Sequence, residues 1–362
     1  MGLKILHIIC NLVPAGAERT VLALSRAQRA LGLEVQVATI MGGGELEKEF
    51  IQAGIPLHLG RKWRRSPGIA ILRSLRILTR RYQPDIVHTH LFAGDLWGRL
   101  ALAGFHPPCL VSTEHNINLD EARWRARLKR VSLRCGVRAI VAVSDAVKQH
   151  AIKHDHMPAR LLHVIHNGID PAGFPFHPPR ATTPGQSPQL VSVGRLIPSK
   201  GIDVLIRAMA ECPTHRLEIV GDGPQKGALK RLAASLGLAR RIRFVGRHAD
   251  VRPFLHQADC FIQPSRHEGF GIAVLEAMST GLPVIASNVD GLKEVIQPSK
   301  TGVLVPPDNP RALARAIRSV TETADAQAMG RAARARVEQC FSVETMTRKY
   351  IDLYGELLDS TS

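Results

Sequence analysis

Short apolar runs rich in β-branched residues recur along this chain, with helix-period segments between most of them, and that alternation constrains the fold more than any other feature. In the first half the runs fall at residues 4–10, 34–40, 85–88, 109–113, 139–143 and 162–165. In the second they fall at 189–194, 216–220, 242–245, 260–263, 283–286 and 301–305. They lack clean apolar–polar alternation, as expected of parallel strands covered on both faces. Helical periodicity marks 17–31, 201–210, 224–234 and 310–320. A βα alternation that starts twice predicts an α/β chain with two doubly wound parallel sheets.

Composition marks the break between the two series. Residues 171–188 hold six prolines together with Gly173 and Gly185, a mixture that sustains neither a helix nor a central strand. The expected domains are 1–175 and 176–340, which suits 362 residues at ~150 per domain. Behind Ser342, the residues Tyr350, Leu353, Tyr354 and Leu357 share one face of a last expected helix within 341–362. Asn167-Gly168, a turn dipeptide just before the proline-rich segment, suggests a hinge.

Hydrophobic residues at 45% and charged residues at 22% are ordinary for a globular chain and exclude extensive disorder, collagen or a coiled coil. No stretch offers the ~18 uncharged apolar residues of a bilayer crossing; the region around Leu282 is bounded by Glu276 and Asp290. The apolar run behind Lys4 is short and is followed by Glu18 and Arg19, so it reads as a buried strand of a cytoplasmic protein rather than a secretory leader. The six cysteines (Cys10, Cys109, Cys135, Cys212, Cys260, Cys340) stand singly, without CxxC or metal-ligand spacing, as reduced thiols do. A net charge of +17, heavier in the first half, directs attention to polyphosphate, nucleic acid or an anionic membrane surface.

Ligands of open α/β sheets bind beyond the carboxyl ends of the strands, so the candidate chemistry belongs there, and two such sheets facing each other would enclose a cleft. The segment EGFGIAVLE, from Glu268 to Glu276, follows a strand. Gly269 and Gly271 permit close backbone approach, and the helix that starts near Gly271 presents free N–H groups to an anion such as a diphosphate. Glu276 lies two helical turns beyond Glu268, so the two carboxylates can address different parts of one elongated ligand. Arg195 and Lys200 leave another strand end beside the helix that Gly201 opens, forming a phosphate clamp. In the first half, PAGAER brings Gly16 to the end of the opening strand, where a backbone amide can face a phosphate. HTH (His88, His90) and TEHN (with His115) end two strands where the first domain would face the cleft. Each segment also has a purely structural reading: a tight turn, a favourable first helical turn, solvated charges, a satisfied histidine.

In this order PAGAER, HTH, TEHN, VSDAV, HNGID, VGRLIPSKG, IVGDGP and SRHEGFGIAVLEAMSTGLPVIAS resemble the retaining glycosyltransferases of family four, and the resemblance covers nearly the whole chain. It implies the GT-B fold, two facing Rossmann-like domains with the last helix crossing back onto the first. It further implies that Glu276 of the EX7E pattern binds the ribose of a nucleotide-sugar and Glu268 the transferred sugar. Arg195 and Lys200 would hold the diphosphate, the amides of Phe270, Gly271 and Ile272 and that of Gly16 would complete its shell, and His115 would sit against the donor sugar. Ala15 stands where many relatives carry a second glycine.

Glycosyl transfer must stabilise a departing nucleoside diphosphate, with Mg²⁺ on a DxD motif or with fixed cations. The chain has no DxD, so Arg195 and Lys200 are expected to be the electrophilic catalysts, with no metal and no other cofactor. The family retains anomeric configuration, and front-face attack requires no side-chain nucleophile; Glu268 is therefore not expected to form a covalent intermediate.

Between 61 and 81 there are eight basic residues and no acidic one, and Arg73, Arg76 and Arg80 share a helical face beside Leu72 and Leu75. Arg123, Arg127, Arg130, Arg134 and Arg138 are expected on a second face, next to the apolar stripe of Trp124, Leu128, Val131 and Cys135. Such a surface suits anionic lipid headgroups, which points to a peripheral position at the inner face of the cytoplasmic membrane and to a glycan or lipid-linked acceptor in surface polysaccharide or lipopolysaccharide synthesis. A sugar-nucleotide epimerase would use the same donor cleft but needs acid and base groups. A nucleic-acid binder fits the charge but not the low aromatic content of 4% or the lack of a reader motif, so no nucleic-acid partner is expected. A dinucleotide fingerprint fails because GDG at 221–223 is followed by Lys226 where the third glycine belongs.

Overall fold

The computed structural model describes residues 2–60, 67–104, 109–117, 123–177, 187–322 and 325–360. The chain forms two compact units, Met1–Gly168 with Val343–Ser362, and Ile169–Ser342.

The first unit contains β1 (Lys4–Ile9), α1 (Gly16–Ala30), β2 (Glu34–Thr39), α2 (Glu47–Gln52), β3 (Leu57–His58), α3 (Pro67–Tyr82), β4 (Ile86–His90), α4 (Leu91–Leu102), β5 (Cys109–Glu114), α5 (Arg123–Ser132), β6 (Val137–Ala142), α6 (Asp145–Lys153) and β7 (Leu162–Val164). The second contains β8 (Gln189–Val193), α7 (Ile202–Met209), β9 (Arg216–Val220), α8 (Lys226–Ser235), β10 (Ile242–Gly246), α9 (Arg252–Gln257), β11 (Cys260–Gln263), α10 (Ile272–Thr280), β12 (Val284–Ser287), α11 (Leu292–Val295), β13 (Val303–Val305), α12 (Pro310–Glu322) and α13 (Asp325–Cys340). The final helix, α14 (Val343–Asp359), belongs to the first unit.

Both sheets are wholly parallel, in the orders β3-β2-β1-β4-β5-β6-β7 and β10-β9-β8-β11-β12-β13. Each is doubly wound and reverses direction once, between β1 and β4 and between β8 and β11, and ligands of such sheets bind at that reversal. The loops after β1, β4, β8 and β11 are therefore the ones to inspect.

The units part at Gly168/Ile169, several residues before the break that the proline content suggests. Ile169 bridges to Ser342, the Arg334 guanidinium donates to the Phe174 carbonyl, and His177 N–H donates to Thr280 O. These bonds bind the start of the proline-rich stretch to the second unit. Residues 178–186 of that stretch lie outside the described residues.

The α14 face found in the sequence packs into a core of the first unit, where Met346, Tyr350, Leu353 and Tyr354 meet Ile5, Leu24, Val35, Val111 and Val141. On the other side of that sheet Leu6, Ile8, Val87 and Ile140 meet α3 and α4. In the second unit α7 and α12 cover one face through Leu205, Ile206, Leu313 and Ile317.

The basic helix α5 departs from expectation in one respect. It ends at Ser132, a short 3₁₀ turn spans Leu133–Cys135, and Gly136 has φ 91°, so Arg138 lies on strand β6 and not on the helix face. Nor is the apolar stripe buried: Trp124 and Val131 are 56% and 50% exposed. Of the basic run at 61–81, residues 61–66 lie outside the described residues.

Candidate functional site

At the reversal of the second sheet, two loops are fastened to each other. After β8 the chain passes Gly194 and Arg195 into a 3₁₀ turn at Pro198–Lys200, and Gly201 (φ 61°) starts α7. A side chain at 201 would also collide with Pro264 O, at 2.0 Å, so the close approach of the two loops requires glycine. After β11, Arg266 makes a bidentate pair with Asp203 at 2.8 and 2.9 Å, a bond to Asp308 at 2.7 Å and one to Pro198 O at 2.7 Å. The guanidinium holds the Asp203 carboxyl below its ordinary pKa, chiefly by hydrogen bonding. Arg266 was missed in the sequence because its partner stands 63 residues earlier.

This stapling brings Lys200 to Glu268, with Nζ 2.5 Å from Oε2. The same oxygen accepts from Gln263 Nε2 at 3.1 Å and from Ser265 Oγ at 3.2 Å. Glu268 N–H donates to Asp290 Oδ2 at 3.2 Å, which fixes the backbone of the loop. Glu268 Oε1 makes no hydrogen bond among the described residues. Two residues that the sequence assigns to different parts of a donor are thus in direct contact. Arg195, on the same loop as Lys200, is exposed.

Gly271 adopts φ 101° as the N-cap of α10. The first amides to bond back into the helix are those of Val274 and Leu275, both to Gly271 O. The N–H groups of Ile272 and Ala273 are thereby left at the first turn, the feature that makes a helix start receptive to phosphate. Phe270 is buried against Phe341. Glu276 follows one turn further along α10 and is largely buried.

In the first unit, α1 begins at Gly16 behind an extended Ala15 that provides no side-chain cap. Glu18 in that first turn is buried, and burial raises its carboxyl pKa. Beyond β5 stands His115, buried, with Nε2 3.2 Å from His90 Nδ1 and Nδ1 without a partner. Burial lowers its pKa to about 4, against a smaller opposing effect of Glu114.

His88 and His90 do not stand on a surface as the sequence reading placed them. Both are fully buried beneath α1 and α14, because residues 88 and 90 share one strand face and that face is covered. His7, which register sets beside His88, completes a cluster in which His7, His88 and His90 bring ring nitrogens within 4.8 Å of one another. His7 was overlooked in the sequence as one polar residue in an apolar strand. Of the other motifs, VSDAV supplies Ser144 as a helix cap, its Oγ accepting from Val147 N–H at 3.0 Å.

Comparison with known proteins identifies the class. The model described as glycosyl transferases group 1 matches residues 174–336, and that of Glycosyltransferase Family 4 matches residues 14–172. The chain is 33% identical over 315 residues to a glycogen synthase of Mycobacterium tuberculosis, covering 81% of this chain and 75% of the relative. It is 27% identical over 311 residues to the UDP-Gal:α-D-GlcNAc-diphosphoundecaprenol α-1,3-galactosyltransferase of Escherichia coli, covering 79% of each. Anabaena HepE, solved in complex with UDP-glucose, superimposes with a TM-score of 0.87 at 23% identity, over 98% of this chain and 100% of that one. The chain belongs to the family 4 and group 1 glycosyltransferases and has their GT-B architecture of two Rossmann-like units.

Proposed function

We propose that this glycosyltransferase retains anomeric configuration and moves a hexose from a nucleotide-sugar to a lipid-linked or other membrane-associated glycan acceptor, without a metal ion. The observation that carries the reading is the Lys200–Glu268 pair at the sheet reversal, next to the open first turn of α10. The UDP-glucose complex of HepE supports a nucleotide-sugar donor, and the E. coli relative's diphosphoundecaprenol substrate supports a lipid-linked acceptor.

In this mechanism Arg195, Lys200 and the amides of Phe270, Gly271 and Ile272 neutralise the diphosphate as the sugar C1–O bond breaks and its electron pair leaves with the phosphate oxygen. The acceptor hydroxyl attacks C1 from the same face, and its proton passes to the departing phosphate oxygen. Glu268, with Oε2 held by Lys200, Gln263 and Ser265, offers Oε1 to hydroxyls of the transferred sugar. Glu276 binds the ribose, Gly16 contributes an amide to the phosphate, and His115 contacts the donor sugar.

The acceptor-side surface is α3 with α5. Trp124, Leu128, Val131, Ile69 and Ile77 are exposed there among arginines, and Arg125 lies over the Trp124 and Phe92 rings. Exposed apolar residues on a basic helix favour adsorption to an anionic bilayer. No helix among the described residues is long and apolar enough to cross one.

A thermal-shift panel of UDP-, GDP- and ADP-sugars tests the donor reading. One of them at 100 times its Kd should add ~2.7 kcal/mol of stability. A flat response to the whole panel would contradict it.

A further inference from the structure

A directed chain of hydrogen bonds runs under the first sheet and ends at His115. Gln28 of α1 places its carbonyl oxygen 2.9 Å from His7 Nε2; His7 Nδ1 is 2.9 Å from His90 Nε2; His90 Nδ1 is 3.2 Å from His115 Nε2. All four side chains are buried. Beside this chain, His88 is held separately by the Tyr354 hydroxyl at 2.6 Å and by Thr113 Oγ1 at 2.7 Å, and Thr113 in turn meets the Tyr350 hydroxyl at 3.1 Å.

One end of the chain decides its polarity. A carbonyl oxygen only accepts, so His7 Nε2 carries a proton. A neutral His7 then has a bare Nδ1, which accepts from a protonated His90 Nε2. The bare His90 Nδ1 accepts from His115 Nε2–H. His115 is left with its lone pair on Nδ1, the buried atom that has no partner. Burial keeps His7 and His115 neutral by lowering each to about 4, and it lowers His90 further. The residue after His90 adds a sign of constraint: Leu91 sits at φ 63°, a conformation costing a non-glycine residue ~1 kcal/mol.

We infer that Gln28, His7 and His90 are positioning residues that lock His115 as the neutral Nε2–H tautomer, so that its Nδ1 accepts a hydrogen bond from a hydroxyl of the donor sugar. This rests on the reading of His115 as a donor-sugar contact. A neutral acceptor suits that place, because an imidazolium would oppose the positive charge growing on the sugar ring during transfer. It also makes the site selective for a donor with a hydroxyl in reach, since a sugar lacking it leaves a buried acceptor unpaired. The three-histidine cluster invites a metal instead, but every ring nitrogen of His7, His88 and His90 already has a protein partner, and an ion would have to break several of those bonds.

The test is ¹⁵N NMR of the full chain labelled at histidine ring nitrogens, with His115→Gln identifying the His115 signals. At pH 7 the expected result is a protonated Nε2 and an unprotonated Nδ1 at His115. A protonated Nδ1, or an imidazolium, overturns the inference. So does stoichiometric zinc in native mass spectra of the purified protein. Gln28→Met removes the group that sets the polarity; it should give mixed His115 tautomers and a kcat lower by about tenfold, with UDP affinity unchanged. An unchanged tautomer in Gln28→Met overturns the relay, and if that variant fails to fold, the wild-type spectrum decides alone. Full donor turnover by His115→Gln would refute the donor contact itself while leaving the measured tautomer intact, so the two failures are distinguishable.

Discussion

Lowering the pH from 7 to 5 should destabilise the first unit specifically. His7 and His115 are buried and titrate at about 4 in the fold, against ~6.5 in an unfolded chain. The unfolded state therefore binds protons that the native state refuses; stability is complete above pH ~6.5 and falls as the pH drops toward the folded values. At pH 5 each of the two costs ~2 kcal/mol relative to pH 7. Asp95, whose carboxyl burial raises to about 6 against the pull of Arg99, works in the opposite direction and returns ~1 kcal/mol. The net loss is ~3 kcal/mol, and His88 and His90, also lowered by burial, add to it. Trp63, Trp97 and Trp124 are the chain's three tryptophans and all belong to the first unit, so tryptophan fluorescence during urea unfolding reports on that unit alone. With an m of ~2 kcal/mol/M the midpoint should fall by ~1.5 M. A midpoint at pH 5 equal to or above that at pH 7 would refute the assignment of these histidines as buried and neutral.

Three further outcomes are expected. Arg266→Ala, which frees the loop carrying Glu268 from Asp203 and Pro198, should raise the donor KM ~10-fold through lost hydrogen bonds of ~1–1.5 kcal/mol, while vesicle binding stays as in wild type; initial-rate kinetics check it. Gly271→Ala forces a Cβ at φ 101° against Leu292 Cδ2 and should cost ~1–3 kcal/mol of stability in denaturant unfolding, together with donor affinity. Wild-type protein should cosediment with anionic but not neutral vesicles and be released by salt. Trp124→Ser and Arg130→Glu should each weaken that binding, by ~1 kcal/mol per cation lost, with turnover of a water-soluble acceptor retained.

The fold was legible because its signal is local and repeated. The strands at 216–220 and 260–263 match the sequence reading residue for residue, since apolar β-branched runs bounded by turns leave little latitude. The two-residue β3 (Leu57–His58) has no period to detect and was not anticipated. What escaped at the site was long-range. Lys200 and Glu268 were each singled out, but their contact depends on two loops that Arg266 and Asp203 fasten across the sheet. His7 became visible only through the register of β1 against β4, which no periodicity encodes. Tyr350 and Tyr354 were read as an apolar stripe; they are that, and their hydroxyls also bind Thr113 and His88.

The central claim is that fixed cations, Arg195 and Lys200, do what a divalent ion does in other transferases. Turnover of the nucleotide-sugar selected by the thermal-shift panel, measured with EDTA present for wild type and for Arg195→Ala/Lys200→Ala, tests it directly. The account predicts an undiminished wild-type rate in EDTA and a fall of at least ~10²-fold in kcat for the double variant. A wild-type rate that collapses in EDTA and returns with magnesium or manganese, or a double variant that keeps its rate, would contradict it.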